Sequence, residues 1–241
     1  MEQPMQPLSP EKILAVWEGG RQQHELDRAL TLLAAGSPGV SRHELADLTI
    51  GARDARLLQL RTLVLGPSAT GFAECPECGE RVEFPIDTAA LAQPKELAAT
   101  AREIELDGTR IRFRLPTSHD LAEVVAAPDE AQGLRRLIDR CVIESSLPDE
   151  LPNETIKALS RATLEADPQA EIIISFSCPG CGQRWEMLFD IAQFFWDEIA
   201  AQARRLLREI DALAHAYGWS EREILSLPTQ RRQSYLELVA A

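Results

Sequence analysis

Lysine is almost missing from this chain. Lys12, Lys95 and Lys157 are the only three in 241 residues, and 38 acidic side chains stand against 25 basic ones, for a formal net charge of −13. A surface of that sign repels phosphate, which argues against a general affinity for nucleic acid or anionic lipid. No apolar run approaches the roughly 18 residues of a membrane span. The opening "MEQPMQPLSPEK" has acidic residues and prolines where a secretory signal needs a basic start and an apolar stretch, so a cytoplasmic protein is expected. Also absent are a Gly-rich phosphate loop, a Gly-x-Ser-x-Gly elbow and a His-Glu-x-x-His pair. The four histidines, His24, His43, His119 and His215, are scattered with no two at ligand spacing. His119, beside Asp120 in "LPTSHDL", reads as local capping. No catalytic residues are expected, and the chain reads as noncatalytic.

What is present is a repeat. "FAECPECGERVEFPID" returns about a hundred residues later as "FSCPGCGQRWEMLFDI". A constant offset of 103 residues places Cys75 on Cys178, Pro76 on Pro179, Cys78 on Cys181, Gly79 on Gly182, Arg81 on Arg184, Glu83 on Glu186 and Asp87 on Asp190. Each copy reads strand, Cys-Pro-x-Cys-Gly, strand, the form of a zinc knuckle. The x-x spacing puts two sulfurs on one side of a tetrahedron, and the glycine permits the turn that aims backbone amides at them. One knuckle supplies two ligands and structural zinc wants four, so Cys75, Cys78, Cys178 and Cys181 are expected to share one Zn²⁺ as a split ribbon. The 99 residues between Cys78 and Cys178 exceed the usual gap of about 15–20 residues. Loop-closure cost grows only logarithmically with length, so a folded insertion is tolerable. A redox Cys-x-x-C would sit at a helix N-terminus, whereas strands are expected after both pairs. Catalytic zinc keeps a position open, and four cysteines close it. The fifth cysteine, Cys141 in "LRRLIDRCVIESS", reads as a small buried hydrophobe in an amphipathic helix.

The rest of the chain predicts an α+β fold, mostly helical. Ser9-Pro10 opens a helix that Gly19-Gly20 interrupts. "QHELDRALTLLAAG" is a second helix, Ser41 and Glu44 form a capping box, and "ARDARLLQLRTLVLG" buries Leu57, Leu58, Leu60 and Val64 before Gly66-Pro67. "EIELDGTRIRFRLP" alternates around Asp107-Gly108 as a hairpin, followed by three helical segments, "SHDLAEVVAA", "DEAQGLRRLIDRCVIESS" and "NETIKALSRATLEAD". These signals divide the chain into an N-terminal helical region (1–70), the split ribbon (71–90 and 171–190), an inserted hairpin with helices (91–170) and a C-terminal helical part (191–241).

In that last part Ile191, Phe195, Ile199, Ala203, Leu206, Ile210, Leu213 and Tyr217 recur every three to four positions until Gly218, and Ser220 with Glu223 makes another capping box. A core stripe is the default reading. Three successive aromatics, Phe194, Phe195 and Trp196, cannot all point inward on one helix, so a partner-binding face is also expected. Its candidates are Phe194, Trp196, Arg204, Arg205, Arg208, Trp219, Arg231, Arg232 and Tyr235. The arginine cluster suits a solvated face or an acidic protein partner better than DNA.

The ordered set "GARDARLLQLRTLVLG", "FAECPECGERVEFPID", "RIRFRLPTSHDL", the second knuckle and "AHAYGWSEREILSLPTQRRQSYLELV" resembles the T-even-phage-type baseplate hub assembly chaperones, from about Thr49 onward. Related genes accompany contractile phage tails and bacterial contractile injection systems. The resemblance implies a noncatalytic role in building or forming the baseplate, with hub or wedge proteins of the tail as partners and incorporation into a tail or tail-like particle. Only the four knuckle cysteines carry over, as metal ligands. Because members of the wider group often lack the knuckles, zinc is expected to be a local scaffold. The competing class is a zinc-ribbon regulator that binds nucleic acid, which requires strongly salt-dependent binding.

Overall fold

A computed structural model describes residues 4–92, 101–106, 108–145 and 152–240. Four helices come first: α1 (Pro10–Gly20), α2 (Glu25–Gly36), α3 (Arg42–Ala46) and α4 (Ile50–Leu65). Their starts follow from side-chain caps. The Ser9 hydroxyl accepts from the Lys12 N–H at 3.3 Å, Ser41 and Glu44 satisfy each other's backbone, and Thr49 accepts from the Ala52 N–H at 3.2 Å. The Gly19-Gly20 break falls as expected. Gly20, the last residue of α1, also has a tertiary role, because a Cβ there would collide with the Trp196 ring.

The first knuckle joins β1 (Ser68–Glu74) to β2 (Arg81–Asp87), an antiparallel hairpin with Phe72 opposite Glu83. A short helix α5 (Thr88–Leu91) follows. The insertion holds β3 (Arg102–Leu106), β4 (Thr109–Phe113), α6 (Ser118–Val125), α7 (Glu130–Cys141), β5 (Val142–Ser145) and α8 (Asn153–Ala166). Strands β3 and β4 pair antiparallel with Ile104 opposite Ile111, as the alternation predicts; Asp107 of the expected turn lies outside the described residues. The segment expected to be helical through Ser146 is corrected: the helix stops at Cys141 and continues as β5 on the free edge of β4. Val142 and Ile143 are β-branched, and an available sheet edge outweighs the helical pattern before them. The second knuckle joins β6 (Ile173–Ser177) to β7 (Arg184–Leu188), and α9 (Ile191–Tyr217), α10 (Glu221–Ser226) and α11 (Thr229–Ala240) complete the chain.

The main core lies where α9 packs against α1, α2 and α4, with Leu32, Leu33, Leu57, Leu58, Phe195 and Ile199 all fully buried. A smaller cluster of Phe113, Leu115, Ile138 and Leu159 stabilises the insertion. The insertion docks on the start of α4. The Ile50 N–H donates to the Pro116 carbonyl at 3.1 Å, and the Gly51 N–H donates to the buried Asp167 carboxylate at 2.9 Å. A Cβ on Gly51 would strike that carboxylate, so Asp167 reaches the helix N-terminus only because residue 51 is glycine.

Candidate metal centre

The repeat seen in the sequence is a repeat in three dimensions. In the first knuckle the Cys75 N–H donates to the Glu80 carbonyl at 2.9 Å and the Gly79 N–H to the Cys75 carbonyl at 2.9 Å. In the second, Cys178 bonds Gln183 at 2.8 Å and Gly182 bonds Cys178 at 3.0 Å in the same roles. Gly79 and Gly182 sit at φ 74° and 76°, a left-handed conformation that favours glycine. The repeat extends into the helices beyond. Asp87 caps α5 by accepting from the Ala89 and Ala90 N–H groups, and its counterpart Asp190 caps α9 by accepting from Gln193 at 3.0 Å. Each cap fixes the direction in which the chain leaves its hairpin.

The two hairpins meet through their sulfurs and their aromatic faces. The ring of Phe84 packs edge-on against Phe176 at 4.8 Å, and Phe176 stacks on Trp185 at 5.1 Å. Cys75 Sγ lies 3.7 Å from Cys181 Sγ, and Cys78 Sγ lies 3.6 Å from Cys178 Sγ. The pairing is crossed, the first cysteine of each knuckle facing the second of the other. All four sulfurs lie within 4.8 Å of one another, with Cys75 and Cys178 buried and Cys78 and Cys181 exposed. A tetrahedral ion bound to thiolates at about 2.3 Å requires sulfur–sulfur edges of about 3.8 Å, so the observed separations fit a metal ion of that kind.

The thiols of Cys78 and Cys178 are pulled in opposite directions by their neighbours. Backbone N–H groups of Cys181 and then Gly180 stabilise the Cys178 thiolate and bring its pKa down to about 7. The Glu80 N–H favours the Cys78 thiolate, but the sulfurs of Cys181, Cys178 and Cys75 together push that thiol up to about 12. Four negative sulfurs are strongly disfavoured at this distance without a positive charge among them, so a metal ion captured here would release protons.

A family model for the T4 bacteriophage base plate protein matches residues 8–196. The chain belongs to that family. The matched span starts before α1 and ends in the first turns of α9, so this baseplate protein carries its family signature in the helical core, both hairpins and the insertion. That moves the boundaries of the likeness read from the sequence: the N-terminal helices lie inside the match, and "AHAYGWSEREILSLPTQRRQSYLELV" lies beyond it. Neither the curated proteins nor the solved structures give a significant match. Among the described residues no helix is long and apolar enough to cross a membrane.

The nine residues expected to bind a partner fall into two groups in this baseplate protein. Trp196 is buried against Gly20, with the Arg28 guanidinium 4.9 Å from its ring centroid, and Phe194 is half-buried against Phe189. The aromatic triplet is accommodated because α9 is covered on more than one side, a situation that helical periodicity alone does not reveal. Arg232 is also buried, its Nε 2.6 Å from Glu209 Oε2, and Arg205 spends its Nε on Glu209 Oε1 at 2.9 Å. Trp196 and Arg232 are therefore both held inside the chain by contacts of its own. Arg204, Arg208 and Arg231 are exposed, and Trp219 and Tyr235 meet edge-to-face at 4.9 Å beside Tyr217. The sequence reading missed Glu209, a buried carboxylate that gathers Arg205, Arg232 and Gln233 and holds α11 to α9. It also kept the histidines apart, whereas the fold sets the rings of His43 and His119 5.1 Å from each other.

Proposed function

We propose that this baseplate protein is a noncatalytic assembly component of a contractile tail or contractile injection system, clasped by one structural Zn²⁺ on Cys75, Cys78, Cys178 and Cys181. The observation that carries the reading is the crossed approach of four sulfurs from two hairpins that are far apart in sequence. Zinc suits a tetrahedral all-thiolate set, and four protein ligands leave no position for a reactive water, which supports a structural role. Zinc would join the hairpin that follows α4 to the hairpin that precedes α9, fixing both helices around a common point.

The contact with a hub or wedge protein falls on the C-terminal arm of α9, α10 and α11. Tyr217 stacks on Trp219 with centroids 4.7 Å apart, Tyr235 meets both edge-on, and Leu238 is 67% exposed nearby in sequence. Rigid aromatics with the exposed Arg231 one turn before Tyr235 on α11, and the exposed Arg204 and Arg208 further back on α9, give the arm the composition of a protein-binding hot spot. Co-expression and pull-down with the other baseplate proteins of the same particle tests the assignment. The Trp219→Ala/Tyr235→Ala variant is expected to lower capture at least about tenfold while zinc content stays at one per chain. Capture equal to the parent would remove the arm from the contact. Mass spectrometry of finished particles and assembly intermediates then separates a transient chaperone from a retained subunit.

A further inference from the structure

The N-terminal helices and the insertion touch at a second place where metal-ligating side chains converge. His43 lies on α3, Asp47 caps the C-terminus of the same helix, and His119 lies in the first turn of α6. The backbone brings them together: Thr49 bridges Thr117 in antiparallel fashion, which sets the end of α3 beside the start of α6. His43 Nε2 is 3.7 Å from Asp47 Oδ2, and His119 Nε2 is 3.4 Å from Asp47 Oδ1. Both distances exceed those of a good hydrogen bond, which lie at about 2.7–3.2 Å. They match the edge of about 3.4 Å expected between ligands held about 2.1 Å from a tetrahedral ion.

Three further observations point the same way. His119 Nε2 is shielded from solvent and has no hydrogen-bond partner, although it faces the cluster. One donor atom from each of the three residues lies within 4.8 Å of the others, the compactness of a coordination sphere. The cations bordering the cleft are already engaged elsewhere: Arg42 pairs with Asp27 at 2.6 Å, and Arg114 and Arg140 both bind Asp120. Asp47 therefore keeps its charge for the imidazoles or for an ion between them.

We propose that His43, Asp47 and His119 form a second, divalent-metal site that staples α3 to the start of α6. Two imidazoles and one carboxylate are a borderline nitrogen and oxygen set suited to Zn²⁺ or Co²⁺. Three protein ligands leave at least one position to water. The site is chemically distinct from the four-cysteine centre, and it ties the insertion to the N-terminal helices rather than one hairpin to the other.

The test uses the full chain, isolated with metal on its cysteines and counted by mass spectrometry. Calorimetric titration with Zn²⁺ is expected to show one further equivalent, and His43→Asn and His119→Gln should each weaken it at least about tenfold without changing the metal first counted. His43 is exposed, so its substitution leaves the fold intact. With Co²⁺ the new site should absorb weakly in the visible without the intense near-ultraviolet band of cobalt–thiolate bonds, so a failure of the cysteine centre and a failure of this site read out separately. A parent protein that takes up no further equivalent, or variants that titrate like the parent, would reduce the cluster to an ion pair and overturn the proposal.

Discussion

Arg61 on α4 grips Glu198 on α9 with two prongs, Nε to Oε2 at 2.9 Å and Nη2 to Oε1 at 2.6 Å. The same guanidinium donates from Nη1 to the Gly66 carbonyl at 2.6 Å and the Ser68 carbonyl at 3.1 Å, so it also holds the turn that starts the first hairpin. Removing one partner of a buried charge pair leaves the other uncompensated, whereas replacing both by apolar residues is often close to neutral. Glu198→Ala is therefore expected to cost about 3 kcal/mol in urea unfolding, and Arg61→Met with Glu198→Met together less than the single change. Equal losses in the single and double variants would show that the backbone contacts of Arg61 carry the effect instead.

Cys178→Ser is expected to take the bound metal from one ion per chain to none, since three thiolates and a hydroxyl no longer satisfy a structural zinc. Hydrogen exchange should then quicken in β1, β2, β6 and β7, which form two separate two-stranded hairpins left with the Phe84–Phe176 ring contact between them once the ion is gone. The amides of α2, α4 and α9 should keep their protection because their core is independent of the sulfurs. Loss of protection throughout the chain would make the metal a requirement for the whole fold.

Asp120 is fully buried and accepts from Arg114 at 2.6 and 2.8 Å, from the Thr117 N–H at 2.9 Å and from Arg140 at 2.7 Å. Burial alone would raise its pKa, but the hydrogen bonds from Arg114, Thr117 and Arg140 outweigh it and hold the carboxyl well below the usual range. An unfolded aspartate titrates near about 3.9, so the unfolded chain binds the proton first as pH falls. The stabilisation is present in full above that value and is lost progressively below it, down through the folded pKa. Acid titration followed by circular dichroism should show stability falling below about pH 4, and Asp120→Asn should flatten that dependence while costing about 2–3 kcal/mol at neutral pH. An unchanged acid limb in the variant would assign it to other carboxylates.

Adjacent glycines in α1 should respond in opposite directions. Gly19 faces open space, so Gly19→Ala is expected to stabilise by about 0.5–1 kcal/mol through helix propensity. Gly20→Ala pushes a methyl group into the Trp196 ring and should destabilise by about 1–3 kcal/mol. Paired thermal melts decide it. Matching shifts would mean that the Trp196 ring moves aside freely.

Several elements were legible because their causes are local. Ser9, Ser41 and Ser220 cap helices where the sequence places them, and Gly218, at φ 68°, ends α9 after the expected stripe. The switch from α7 to β5 was not legible, because the strand depends on the exposed edge of β4, which no window around Val142 contains. The burial of Trp196 and Arg232 was hidden for a related reason. A charge or an aromatic ring shows what a side chain could bind, and only packing shows whether a partner inside the protein already holds it.

The sequence by itself determined the two knuckles, their 103-residue offset and the glycines whose left-handed turns aim amides at sulfur, because turn geometry depends on a few neighbouring residues. It also determined the capped helices and the apolar stripe of α9. The tertiary structure decided which sulfurs face each other, how Arg61 meets Glu198, how Asp167 reaches Gly51 and why His43 stands beside His119. Each of those contacts joins segments far apart in the chain, so its distance is set by the packing of whole helices and hairpins, which local sequence does not encode.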